Sequence, residues 1–447
     1  MIQRKLAAAL LVPLFTLGTA CGGSSGGAPG GDTPGGGTGG TTPPPGTVAS
    51  NLSAGSGKLQ AALSSNSTDD FLASANAYGA AATLIATDTS ASQASKDQAN
   101  FFGAAARLAL LANPYSSTVS AGALNNFGDM LDAFGLGGTQ AQRGRIDKLQ
   151  VLDCNVQGCV LKTFPPGCPR SRDVQAFLLN KLGQALEGAA AMLGQVSSGF
   201  QVQQSFRGMV VKFDQTDALF LKGVAEAMLA QVRFQKAYDL DFDMAALQAT
   251  ITAQRRSGTV TYRVPDFLNA NPNFLKLADA ASLASGKAAL LEAIHSLQAA
   301  VTSLRAETGD QSHDFIKLVD TQRNYYPSQY SCTNVYNAPQ QLAEVDYWLA
   351  QVESVVSASG PMTLTMRTSD TADDVTINPS KFFAGIDMRS KLPITWSAGG
   401  LGNSPGFFPD PSFGGVLVTP LPVNRDLDGD GSPDWLMGFL HGFRYRF

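Results

Sequence analysis

The sequence predicts a mainly α fold: an irregular helical bundle with repeat-like helix hairpins, followed by a small β- and loop-rich C-terminal module. Three observations carry this. Apolar residues recur three and four positions apart through most of residues 58–357. Ala and Gly fill many of the core-facing positions, which suits closely approaching helix axes. After Gly360 the helical period gives way to β-branched alternation punctuated by Pro and Gly.

The helical elements follow in order. "TDDFLASANAYGAAATLIAT" opens with a cap at Thr68 or Asp69 and aligns Phe71, Ala75, Tyr78 and Ala82 on one face. "DQANFFGAAARLALLANP" aligns Phe102, Ala105, Ala106 and Ala109 and stops at Pro114. The segments from Ser171 to Val196 and from Thr216 to Phe242 form a long pair. A further helix is expected from about Pro272 to Glu307, with Leu283, Leu290, Ile294, Leu297, Val301 and Leu304 at spacings of three, four and seven. "PQQLAEVDYWLAQVESVVSA" is the last, ending near Gly360. One strand is expected among them, "GTVTYRVP" from Gly258 to Pro265, because Val260, Tyr262 and Val264 alternate with polar partners. Beyond the bundle, residues 358–447 form the β/loop-rich module, whose aromatics Phe382, Phe383, Trp396, Phe407, Phe408 and Phe413 are expected to dock it on the helices.

The N-terminus addresses the chain. Arg4 and Lys5 precede the apolar run Leu6–Leu17, which is shorter than the roughly 20 residues a bilayer-spanning helix needs. Residues 1–20 therefore read as a signal peptide. The following "LGTAC", Leu17–Cys21, resembles the lipobox of bacterial lipoproteins, with Gly18 where the family carries leucine. The resemblance implies lipidation of Cys21, and Gly22 after it implies an outer-membrane destination. Residues 21–57, almost free of apolar side chains at first and rich in Gly, Thr and Pro, read as a flexible tether behind the lipid.

Two further resemblances lie within the helices. The pair containing Tyr78 and "FFGAAA" resembles tetratricopeptide-like hairpins, which implies that the aromatic of the first helix packs on the Phe and Ala positions of the second. No strict 34-residue period accompanies it, so a regular repeat array is not expected. The segments "AYDLDFD" (Ala237–Asp243) and "PNFLKL" (Pro272–Leu277) are similar to segments of bacterial lipoproteins of unknown function.

Chemistry is legible in one place. In "DLDGDGSPDW", Asp426, Asp428, Asp430, Ser432 and Asp434 fall at positions 1, 3, 5, 7 and 9 of a loop with Gly431 at position 6. Hard, oxygen-seeking Ca²⁺ is held by carboxylates at such positions and by a backbone carbonyl at the seventh. The run resembles the D-x-D-G-D-G loops of EF-hand-like and thrombospondin-type repeats. Met437 stands where an EF-hand carries its bidentate Glu, and Pro433 opposes a helix across the loop, so a structural rather than a sensing calcium site is expected. The null alternative is a solvated acidic turn.

The remaining candidates have plainer readings. Cys154, Cys159, Cys168 and the remote Cys332 are disulfide candidates in an exported chain; they allow three pairings, and if all four pair Cys332 must join one of the cluster. Their spacing is poor for zinc. "GNSPG" (Gly402–Gly406) has Pro405 where a nucleophile elbow needs a backbone N–H donor, so it reads as a turn. "GSGK" (Gly55–Lys58) and "SGK" (Ser285–Lys287) lack the frame of a phosphate loop. His295, His313 and His441 have no ligand spacing, and His295 is expected to pack partly buried on its helix. With 32 basic against 36 acidic residues and no basic stripe, neither nucleic acid nor nucleotide is an expected partner. The expectation is thus a non-enzymatic envelope lipoprotein, bound to the membrane through its lipid, with a helical domain for a protein or cell-envelope partner. The alternative is an envelope hydrolase of glycan or peptide using a carboxylate pair that spacing does not reveal.

Overall fold

The computed structural model describes residues 46–418 except 66, 114–123, 136–151, 156–157, 162–163, 166, 207–208, 258–263, 308–310, 312, 318–320, 325–332, 337, 368–371, 392–411, 413 and 417. The fold is mainly helical, with short antiparallel strand pairs. The first three helices are α1 (Val48–Ser65), α2 (Thr68–Leu84) and α3 (Gln93–Leu111). The short α4 (Phe127–Ala133) precedes the hairpin of β1 (Leu152–Asn155) and β2 (Gly158–Leu161). Next, α5 (Ser171–Phe177) runs through a π-helical turn, Leu178–Leu182, into α6 (Gly183–Leu193). A second hairpin, β3 (Gln201–Phe206) and β4 (Met209–Asp214), leads directly into the long α7 (Gln215–Lys236). Then come α8 (Met244–Ser257), α9 (Val264–Ala270) and the longest helix, α10 (Ala280–Ala306). The hairpin of β5 (Thr321–Asn324) and β6 (Thr333–Tyr336) precedes α11 (Ala338–Ser357). The C-terminal part contains β7 (Met362–Arg367) paired with β8 (Ala372–Ile377), and the short α12 (Pro379–Phe383).

The long helices pack in sequence: α1 on α2, α2 on α3, α3 on α6, α6 on α7, α7 on α10 and α10 on α11. The first hairpin of helices is sealed by aromatic packing. Tyr78 of α2 stacks on Phe102 of α3 with ring centroids 4.8 Å apart, and Phe101 extends the contact to Phe200 and Phe213 at 5.1 and 5.3 Å. This is the packing that the tetratricopeptide-like resemblance implies for that pair. The helix starts are set by side-chain caps: Ser67 accepts from the backbone N–H of Asp70, and Ser92 from that of Ser95. The cap of α2 is thus one residue ahead of Thr68.

The most extensive interface joins α7 and α10, and small residues create it. A Cβ on Gly223 would lie 2.7 Å from Leu297 Cγ and 3.1 Å from the Ala293 carbonyl oxygen; one on Gly286 would lie 2.6 Å from the Phe234 ring. The axes approach as closely as they do because those side chains are absent.

Three expectations change. Residues 48–57, expected in the tether, belong to α1, where Val48 and Leu52 are buried among the residues around Tyr78. The expected strand at Gly258–Pro265 is not seen in its described part: Val264 and Pro265 open α9, since the fixed φ of proline suits a first helical turn. Its other residues lie outside the described ones. The helix expected from Pro272 begins at Ala280, where Asp279 caps it by accepting from the N–H of Ser282. The residues before it serve instead to join two distant segments. Tyr238 pairs with Leu277 in an antiparallel bridge, Asp239 N–H donates to Lys276 O (2.9 Å), and Leu275 N–H donates to Asp239 O (2.6 Å). The segments Ala237–Asp243 and Pro272–Leu277 therefore bind each other. Leu275 adopts φ 66°, a left-handed conformation rare for a branched aliphatic residue, to make this junction.

Candidate functional site

Of the residues singled out from the sequence, Cys21, Cys332 and the whole of Asp426, Asp428, Asp430, Ser432 and Asp434 lie outside the described residues, as do His441 and "GNSPG". Cys154 and Cys159 are register partners across the β1–β2 hairpin. Cys168 is half-buried with its sulfur unbridged, and burial, helped by the charge of Asp243, raises its thiol pKa above the usual value. His295 is half exposed rather than packed, with Nε2 3.3 Å from Glu353 Oε1 on α11. Lys58 and Lys287 stand on α1 and α10, paired with Asp70 and placed over the Phe383 ring.

A different set of side chains converges where β4 enters α7 and where α10 ends. Asp214 and Asp217 form a capping box at the start of α7. The Asp214 carboxylate accepts from Thr216 N–H (2.9 Å), and Asp217 Oδ2 accepts from Asp214 N–H (2.9 Å). The other Asp217 oxygen accepts from Ile316 N–H at 3.1 Å, ninety-nine residues away in sequence. Thr216 Oγ1 lies 2.5 Å from Glu307 Oε1, just past α10, and 2.8 Å from Ser303 Oγ. One hydroxyl hydrogen cannot serve both contacts, so either Ser303 or a protonated Glu307 donates to Thr216. Glu307 Oε2 accepts from Gln311.

Asp314 completes the group. One oxygen each from Asp214, Glu307 and Asp314 fall within 4.8 Å of one another. The cation among them is the chain's own Lys212, whose Nζ lies 3.5 Å from Asp214 Oδ2 and 3.3 Å from Asp314 Oδ1. Both separations are longer than a good charge-assisted bond of about 2.7–2.9 Å, and Asp314 Oδ1 has no hydrogen bond of proper geometry although it is buried. Among the described residues, Asp214, Glu307 and Asp314 thus gather around the Lys212 ammonium, and Asp217 adjoins them through the Asp214 backbone. Burial pushes the Asp217 carboxyl up to about 7, with the charges of Asp214 and Glu307 adding to it and its two backbone N–H donors opposing it. Burial, and the charges of Asp214 and Asp314, also raise Glu307.

A second polar group lies further along the same two helices. Lys222 Nζ contacts Glu226 Oε1 and Ser296 Oγ, both at 2.8 Å, and Ser296 Oγ donates to Glu226 Oε2 at 2.8 Å. The Glu226 carboxylate accepts from both the lysine and the serine hydroxyl. The group ties the two helices together.

No single-sequence pattern announces the carboxylate group, because its members come from three places in the sequence: Asp214 with Asp217, Glu307, and Asp314. Only the D-x-x-D capping box at Asp214 and Asp217 is a local signal. Among the described residues, no helix is long and apolar enough to cross a membrane. Comparison of the chain with protein-family models, with curated proteins and with solved structures finds no match.

Proposed function

We propose that the chain is a non-enzymatic cell-envelope lipoprotein, held to the outer membrane by a lipid on Cys21, whose helical domain binds a protein or cell-envelope partner. The observation that carries this reading is the side-by-side array of helices, with the repeat-like Tyr78–Phe102 packing at its N-terminal end. Arrays of this kind present extended surfaces to partners. A structural Ca²⁺ at Asp426, Asp428, Asp430, Ser432 and Asp434 belongs to the same proposal, as does a disulfide between Cys154 and Cys159, which their register favours. The test is a pull-down from envelope extracts with the full chain, with and without calcium. Recovery of a defined envelope component, reduced when calcium is removed, is the expected result; turnover of an envelope glycan or peptide by the purified chain would contradict it. In parallel, Cys21→Ser is expected to release the chain from membranes.

The alternative, an envelope hydrolase, is favoured by one observation: Asp217 is poised near neutrality beside other carboxyl groups, as an acid–base residue would be. Asp217 is only 1% exposed, however, so a substrate reaches it only after the overlying 313–316 segment moves.

A further inference from the structure

The segment around Asp314 is attached to the fold in an unusual way. His313–Phe315 adds to β4 as a short parallel bridge: Lys212 N–H donates to His313 O (2.8 Å) and Phe315 N–H donates to Lys212 O (3.0 Å). Ile316 N–H is fixed by Asp217. The Phe315 ring lies 5.3 Å from that of Phe213 and is itself 53% exposed. Phe213 continues inward to Phe101 and Phe102 at 5.3 and 5.9 Å. The segment is therefore a strap over the end of an aromatic core, fastened through the carboxylate group described above.

That fastening carries unbalanced charge. The groups facing it are Lys212 and Asp214 from β4, Asp217 from α7, Glu307 from the end of α10 and Asp314 from the strap itself, with His313 and Lys317 flanking it on exposed positions. Arg305 of α10 is engaged elsewhere, with Asp346. Among the described residues, the charges of Asp214 and Glu307 oppose ionisation of Asp217, and those of Asp214 and Asp314 oppose ionisation of Glu307, so the energy falls when one of the group is protonated. The strap contributes Asp314 to this repulsion, so lifting it relieves the strain.

We propose that the 313–316 segment is a pH-controlled strap: it lies closed on β4 while the carboxylate group beneath it retains a proton, and lifts as that proton is lost, uncovering the Phe213 face. The sign follows from Asp217. Its carboxyl is raised from 3.8 to about 7 in the closed form, so the closed form binds the extra proton. The stabilisation is fully present below the ordinary carboxylate value and disappears as pH rises through about 7.

Hydrogen exchange at the amides of Phe315 and Ile316 in the full chain, corrected for intrinsic exchange rates, reads the strap directly. Protection is expected to fall about thirtyfold between about pH 5.5 and about pH 8.5, the range over which Asp217 gives up its excess proton. The Phe102 amide should stay protected throughout. Asp314→Asn and Glu307→Gln, each removing one negative charge that favours the retained proton, should make the fall smaller and complete it at lower pH, leaving more protection at about pH 8.5 than in the parent. Protection that is flat with pH, a fall shared by Phe102, or a fall unmoved in both variants would overturn the proposal.

Discussion

Two buried polar groups lie along α7, one facing α10 and one at the helix start, and they differ in charge balance and in hydrogen bonding. Lys222, Glu226 and Ser296 comprise one cation, one carboxylate and one hydroxyl, with all three contacts at 2.8 Å. Lys212 pairs with Asp314 and Asp214 at 3.3 and 3.5 Å, and the charges of Glu307 and Asp214 also bear on Asp217. The first group is balanced in charge and complete in hydrogen bonds; the second is neither. Burial alone does not make a polar group functional. What separates a tie from a switch here is the excess of one sign of charge.

Breaking the balanced group should have the largest effect. Glu226→Gln leaves Lys222 charged in a largely buried position and is expected to destabilise the fold by about 3 kcal/mol, read from urea unfolding. Next is Gly223→Ala, on the same interface. Helix propensity alone favours alanine by about 1 kcal/mol. The clash of its Cβ with Leu297 and the Ala293 carbonyl should reverse the sign and cost about 1–3 kcal/mol. A melting temperature raised by this substitution would show that the two helices are not in as close contact as described. The smallest effect is expected from Ser296→Ala, which removes two hydrogen bonds but leaves the Lys222–Glu226 pair, about 1 kcal/mol. A loss equal to that of Glu226→Gln would mean that the hydroxyl, not the charge balance, holds the group together.

The contrast also explains what could be read from the sequence. The last helix, expected from Pro339 to Ala358, runs from Ala338 to Ser357, because a long amphipathic period fixes a helix locally. The Tyr78–Phe102 contact was expected only from the resemblance of that pair to tetratricopeptide-like hairpins, and it joins helices that are neighbours in sequence. The β3–β4 hairpin was not anticipated, although two six-residue runs flank the two-residue connection Arg207–Gly208. Glutamines at Gln201, Gln203 and Gln204 dilute the strand signal there. Val264 illustrates the opposite failure: its β-branched alternation suggests a strand, and Pro265 beside it starts a helix. The carboxylate group was beyond reach because Lys212 and Asp314 meet only through the topology, 102 positions apart. The aspartate run from Asp426 to Asp434, the clearest motif in the chain, lies outside the described residues, and the proposal that it holds Ca²⁺ rests on its spacing.

One measurement sets the two groups directly against each other: urea unfolding at about pH 8, where the Asp217 proton is largely lost, of the parent chain, Glu226→Gln and Asp314→Asn. Each substitution removes one negative charge from one of the two buried groups along α7. Charge balance predicts opposite signs, with Glu226→Gln lowering stability and Asp314→Asn raising it. Loss of stability in both variants would contradict the account.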